Sequence, residues 1–198
     1  MGLAKVVEWV DIQAPRAEVF KLIVDIERRM QLSPLWGIAN IEAKSSNYPD
    51  RGSKYIVRYQ AGNPTAYQTV ITDYESNRKL SYRLDVDQQT NVTWLLNDTP
   101  RGTRVVYMEE YLVEDENAEQ FNRSVRDIVK SWLTNIQRYA ELRQSAFKRF
   151  IRWLADRFYL RLRPEQRRVI VMILVMQFVS FIAFIMAALA IGMASLFL

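Results

Sequence analysis

The chain has 198 residues, 49% of them hydrophobic and 25% charged, which suits one folded domain of ordinary size with a further segment and excludes a disordered chain. It contains neither cysteine nor histidine, so disulfides, thiol nucleophiles, imidazole-based triads and zinc sites built on Cys or His are excluded; any chemistry must run on Asp, Glu, Lys, Arg, Tyr or Ser. The net charge of +5 is unevenly spread: residues 1–143 carry 19 Lys+Arg against 20 Asp+Glu, residues 144–168 carry eight basic residues against two acidic ones, and residues 169–198 carry none, unlike the basic face of a nucleic-acid-binding domain.

In chain order, Val6–Ile12 reads as a short strand. Pro15 then opens a helix with Val19, Phe20, Ile23 and Val24 on one side. A second helical piece runs near Glu27–Leu32 and stops at Ser33-Pro34. Strand-like runs follow at about 38–44, 53–60, 65–75, 79–86, 90–97 and 103–113, separated by turn signals such as Tyr48-Pro49-Asp50, Gly62-Asn63-Pro64, Ser76-Asn77 and Thr99-Pro100-Arg101-Gly102. Alternation in Tyr55, Val57, Tyr59 and in Leu80, Tyr82, Leu84, Val86 predicts a sheet with one covered face. After Glu114 the period changes: Phe121, Val125, Ile128, Val129, Trp132, Leu133, Ile136 and Tyr139 form one helical stripe, capped by Asp115 or Asn117. A curved meander of antiparallel strands around one long helix leaves room for a cavity between them.

Residues 144–168 form a distinct basic segment. Phe147, Phe150, Ile151, Leu154, Phe158 and Leu162 recur at helical spacing, and Trp153 and Tyr159 suit the headgroup level of a membrane. Lys148, Arg149, Arg152, Arg157, Arg161, Arg163, Arg167 and Arg168 would meet anionic headgroups, each worth roughly 1 kcal/mol near such a surface. Either a helix lying on the membrane or a continuation of the preceding helix places them there. Pro164 opens the last helix, and residues 169–198 carry no charge where about 20 apolar residues suffice to span a bilayer. Lys and Arg flank the span on its N-terminal side, which predicts a cytoplasmic domain and a single-pass tail anchor, in a bacterial inner membrane. The opening residues show neither a signal peptide nor a complete myristoylation motif. Ala183, Ala187, Ala188 and Gly192 stand at small-xxx-small spacing and are candidates for helix packing within lipid.

The stretches Val10-Asp11-Ile12, Ala14-Pro15, Glu18-Val19-Phe20, Asp25, Leu35-Trp36, Gly52-Ser53-Lys54-Tyr55, Leu80-Ser81-Tyr82-Arg83, Thr93-Trp94, Gly102-Thr103-Arg104-Val105 and Tyr139-Ala140-Glu141 resemble the START-like (SRPBCC) superfamily, in its polyketide cyclase/dehydrase and lipid transport branch. The resemblance covers about residues 4–143 and leaves out the basic segment and the apolar tail. It implies an α+β helix-grip fold in residues 1–143, with the basic segment at 144–168 and the transmembrane helix at 169–198. It further implies a cavity for an apolar ligand such as a lipid, quinone or other isoprenoid.

Candidate lining residues are Trp36, Tyr55, Val57, Tyr59, Tyr82, Leu84, Trp94 and Tyr107 from the strands and their surroundings, with Val125, Val129 and Trp132 from the long helix. The same aromatics also suit a packed core with cross-strand pairs. Of Glu109 and Glu110, neighbours on a strand, one must face inward; it either meets an Arg, sits at the cavity mouth, or has a raised pKa and acts as acid or base. The expected function is non-catalytic binding of a hydrophobic ligand at the cytoplasmic membrane surface, with membrane lipids as partners and no metal, cofactor or nucleic acid. The alternative is an accessory subunit of a membrane complex or homo-oligomer, docked through the tail helix.

Overall fold

The computed structural model describes residues 2–34, 39–59, 66–85, 90–113, 118–142, 153–154, 156–162 and 164–194. Seven strands make one antiparallel sheet: β1 (Gly2–Ile12), β2 (Ala39–Glu42), β3 (Lys54–Tyr59), β4 (Ala66–Glu75), β5 (Lys79–Asp85), β6 (Asn91–Thr99) and β7 (Gly102–Val113). Their order across the sheet is β1-β7-β6-β5-β4-β3-β2, so each pair from β2 to β7 is a sequence-neighbour meander and only β1 joins from a distance. The helices α1 (Arg16–Val24), α2 (Ile26–Gln31) and α3 (Ala118–Glu141) supply the other layer. This is the α+β helix-grip arrangement expected from the sequence.

Strand β1 is longer than the expected Val6–Ile12 because β7 pairs with it along its whole length, from Gly2 opposite Val113 to Ile12 opposite Thr103. The expected strand at 38–44 is cut to Ala39–Glu42, beyond which Ala43 turns to a positive φ of 48°. Asp25 separates the two short helices: its side chain accepts from the Arg28 amide and caps α2. Gly102 closes the β6–β7 turn at a φ of 149°, and a Cβ there would lie 2.2 Å from the Ile12 carbonyl oxygen, so only glycine lets the hairpin pass this close to β1. The expected caps Asp115 and Asn117 lie outside the described residues.

The long helix buries Val129, Trp132, Leu133, Ile136, Tyr139 and Ala140, the i, i+3, i+4 stripe that its sequence predicts. Polar contacts fasten its second half. Trp132 Nε1 donates to the Arg29 carbonyl at 2.9 Å, Asn135 to Leu32 at 3.0 Å, and Gln137 to Asp11 at 2.8 Å; Glu141 accepts from the Gln13 amide at 3.0 Å.

The chain forms two compact units, Met1–Arg161 and Leu162–Leu198. The described part of the basic segment within the first unit is tied to it through Asp156, which accepts from Arg28 at 2.7 Å and from the Tyr139 hydroxyl at 2.8 Å. In the second unit, α4 (Pro164–Ala194) contains an apolar stretch, Val169–Met186, that is long and apolar enough to cross a membrane.

Candidate functional site

A cavity of about 260 Å³ lies between the inner face of the sheet and the first half of α3. Strand alternation builds its floor. Val57 opposes Tyr67 across β3 and β4, Thr69 opposes Leu84 across β4 and β5, and Tyr82, Val92 and Glu109 stand in one row across β5, β6 and β7. Thr90 and Tyr107 complete the floor. The roof is Val125, Ile128, Val129 and Trp132 from α3, with Met30 from α2.

Of the candidates named from sequence, the structure gathers Val57, Tyr82, Leu84, Tyr107, Val125, Val129 and Trp132 around this space. Tyr55 and Trp94 are buried but are not among its walls. Trp94 packs edge-on against Tyr107 at 4.7 Å and Trp132 at 5.2 Å, and its Nε1 donates to the Tyr82 hydroxyl at 3.3 Å, so it backs the lining. Tyr55 meets Tyr48 edge-on at 5.7 Å. Trp36 and the side chain of Tyr59 lie outside the described residues.

The sequence left the inward member of the Glu109–Glu110 pair open. Glu109 faces the cavity, and Glu110 pairs with Lys5 on the outer face at 2.8 Å. Glu109 is half-buried, and its partner is not an arginine: the Tyr107 hydroxyl donates to its Oε2 at 2.7 Å. Burial pushes the Glu109 carboxyl above the usual carboxylate range, and the bond from Tyr107 offsets only part of that. Burial, together with the nearby Glu109 charge, pushes Tyr107 well above an ordinary phenol, and burial pushes Tyr82 up to about 12.

Met30, Tyr67, Thr69, Thr90, Val92 and Ile128 of the lining, and Arg29 behind it, were not among the candidates from sequence. Thr69 lines the cavity, is fully buried, and its hydroxyl has no hydrogen-bond partner. Ile128 joins the roof. Arg29 is fully buried behind Tyr82, where its guanidinium donates to the Ile23 carbonyl at 2.8 Å and to the Tyr55 hydroxyl at 3.2 Å. It lies over the rings of Tyr82 at 4.9 Å and Trp94 at 5.8 Å, and its Nε is unpartnered. No carboxylate pairs with it among the described residues. Burial opposes its charge, the oxygens of Tyr82, Tyr55 and Tyr48 favour it, and the balance holds its pKa above the ordinary arginine value. The available signal was spacing: Ile26, Arg29 and Met30 share one face of α2, and all three are buried.

Of the basic candidates, Arg157 is exposed and Arg167 Nε donates to the Leu162 carbonyl at 2.9 Å. Lys148, Arg149, Arg152 and Arg163 lie outside the described residues, as do the side chains of Arg161 and Arg168. Ala183 is exposed on α4; Ala187, Ala188 and Gly192 are helical there, with side chains outside the described set.

The chain belongs to the family described as Activator of Hsp90 ATPase homolog 1-like protein, whose model matches residues 13–141. None of the curated proteins matches it. Among solved structures, it is similar to a protein from Mesorhizobium loti (15% identity, TM-score 0.56, covering 71% of this chain and 98% of that one). It is also similar to a protein from Nitrosomonas europaea (11% identity, TM-score 0.55, 68% and 92%). A further likeness is to the di-domain ARO/CYC StfQ of the steffimycin biosynthetic pathway, at 9% identity and a TM-score of 0.57, covering 71% of this chain and 51% of that one. At such identities these likenesses are of fold.

Proposed function

We propose that this chain is a membrane-tethered binding protein for a hydrophobic small molecule, held with its folded unit on the cytoplasmic side by α4. The observation that carries the reading is the cavity under α3: a largely apolar lining with a few placed polar groups, the usual composition of a small-molecule site. Its volume of about 260 Å³ falls just below the roughly 300–1,000 Å³ of drug-sized pockets. A single ring system, or one end of an isoprenoid, quinone or lipid, suits it better than a whole phospholipid. The apolar run Val169–Met186 and the basic residues before it support the tether and its orientation.

Binding without conversion is the favoured form. Tyr82 and Tyr107 are both held too high to act as bases near neutrality, which leaves Glu109, itself shifted upward by burial, as the one lining group among the described residues for an acid–base role. Native mass spectrometry of the full chain, extracted from its own membrane in mild detergent, tests the reading. A monomer with one discrete hydrophobic mass, lost in Val129→Trp and released chemically unchanged, is expected. An empty chain always extracted in fixed ratio with other membrane proteins would overturn it in favour of a complex subunit. Conversion of the released molecule on incubation with the purified chain would make it an enzyme.

A further inference from the structure

The cavity's polar groups are the hydroxyls of Tyr67, Thr69, Tyr82, Thr90 and Tyr107 and the carboxyl of Glu109. Val57, Leu84, Val92, Val125 and Val129 give nothing a ligand can hydrogen-bond. Glu109 brings the lining's one carboxyl, and Tyr107 donates to one of its oxygens. A carboxyl group offers about four acceptor positions when ionised, so one hydrogen bond leaves acceptor capacity facing the cavity. Among the described residues no arginine or lysine joins the lining; Arg29 sits behind Tyr82. On β4 the Thr69 hydroxyl is buried with no partner, and a buried polar group without one is costly. Thr69 on β4 and Glu109 on β7 are three strand spacings apart, roughly 14 Å along the curved sheet at about 4.8 Å per strand, so they are well separated in the lining.

From this arrangement we infer that the ligand is a compact, apolar, uncharged molecule whose one end carries a hydrogen-bond donor, a hydroxyl above all, received by Glu109, while anionic amphiphiles of the same shape are rejected. The inference rests on the ligand-binding reading and names its chemical class. A carboxylate ligand would place a second negative charge beside Glu109 in a space whose described walls carry no cation, and like charges sharing a site disfavour one another's ionised form. A neutral donor meets an acceptor already oriented by Tyr107. Thr69 gives the other end of the molecule a second polar contact.

Three probes of matched shape test this: 4-propylphenol, 4-propylbenzoate and propylbenzene, titrated calorimetrically into the full chain in mild detergent. The cavity-filled Val129→Trp chain serves as the blank for partition into micelles. The phenol is expected to bind at least tenfold more tightly than propylbenzene and more tightly still than the benzoate. Glu109→Leu should erase the preference for the phenol over propylbenzene, and Glu109→Gln should raise benzoate binding. Equal binding of all three probes to the wild-type chain, or a preference for the benzoate, overturns the inference while leaving a hydrophobic cavity in place. Saturable binding of none of them overturns the cavity reading and the inference with it. The comparison on the wild-type chain decides the matter even if a Glu109 variant fails to fold.

Discussion

Replacing Arg29 is the sharpest probe of how this core is held together. A fully buried guanidinium without a carboxylate has to recover a desolvation cost of several kcal/mol from its surroundings. Two hydrogen bonds, to Ile23 and Tyr55, contribute about 1.5–3 kcal/mol each because the donor is charged. Contacts with the Tyr82 and Trp94 rings contribute about 2 kcal/mol each when desolvated. The gains slightly exceed the cost. Arg29→Met removes both sides of that balance but leaves the Ile23 carbonyl and the Tyr55 hydroxyl without a partner, at about 1–3 kcal/mol each. The net loss expected is about 2–6 kcal/mol. Arg29→Lys should be worse than Met near neutrality: it keeps the charge, loses the planar fork and cannot serve both oxygens.

The two variants also differ in their response to pH. A buried lysine has its folded-state pKa depressed below about 10.4, so the unfolded chain binds the extra proton and stability rises with pH. Urea unfolding of the full chain in mild detergent, followed by tryptophan emission across pH 6–10, reads both effects. The expected order at pH 7 is wild type, then Met, then Lys, with only the Lys variant gaining stability toward pH 10. A Met variant as stable as wild type would refute the argument that aromatic faces and two oxygens hold this cation in place.

Tyr107→Phe removes the one hydrogen bond to Glu109 and should cost about 1–3 kcal/mol. Because burial holds Glu109 above the usual carboxylate range, its contribution is present in full at low pH, below the unfolded value near 4.3, and is lost as pH rises through the folded value. Tyr107→Phe should widen that window and Glu109→Gln abolish it; melting temperatures measured from pH 4 to 8 check this, and parallel curves for all three chains would refute it. The orientation of the folded unit can be read with one introduced cysteine, since the chain has none of its own. A cysteine at the exposed Arg51 should react with a membrane-impermeant maleimide only after cells are opened, and labelling of intact cells would reverse the topology.

Much of the fold was legible because its elements carry strong local periods. The alternation in Tyr55–Val57 and Leu80–Tyr82–Leu84, and the stripe from Val125 to Tyr139, each specify an element and its inner face. Alternation tells which face a strand residue takes but not where along the sheet the helix stands off. Trp94 and Tyr107 both face inward and oppose each other on β6 and β7, yet only Tyr107 reaches the cavity. The parity of β7 was also hidden, since its adjacent glutamates look alike in sequence. It is the long pairing with β1 that sends Glu110 out to Lys5 and turns Glu109 in. Arg29 was missed because a charged residue on an apolar stripe is read by habit as solvated.

The unequal seating of α3 connects the packing to the site. From Trp132 onward the helix is fastened at Arg29, Leu32, Asp11 and Gln13, and its inward side chains fill the core. Before Trp132 the side chains that roof the cavity are smaller: Val125, Ile128 and Val129. The ties there run mainly through side chains at the edge: Tyr111 donates to Asn122 at 2.6 Å, and Arg126 meets Glu8 at 3.2 Å. The first is a part-buried neutral hydrogen bond worth about 0.5–1.5 kcal/mol, and the second an ion pair whose arginine is half exposed. Local opening follows the least buried apolar contact, so the first half of α3 parts from the sheet at lower cost than the second. Val125, Ile128 and Val129 of the roof therefore lie on the less firmly tied part of the helix, whereas Trp132 and Met30 belong to the fastened part. On the ligand-binding proposal, the seam between Val125, Ile128 and Val129 and the sheet is the expected route of entry.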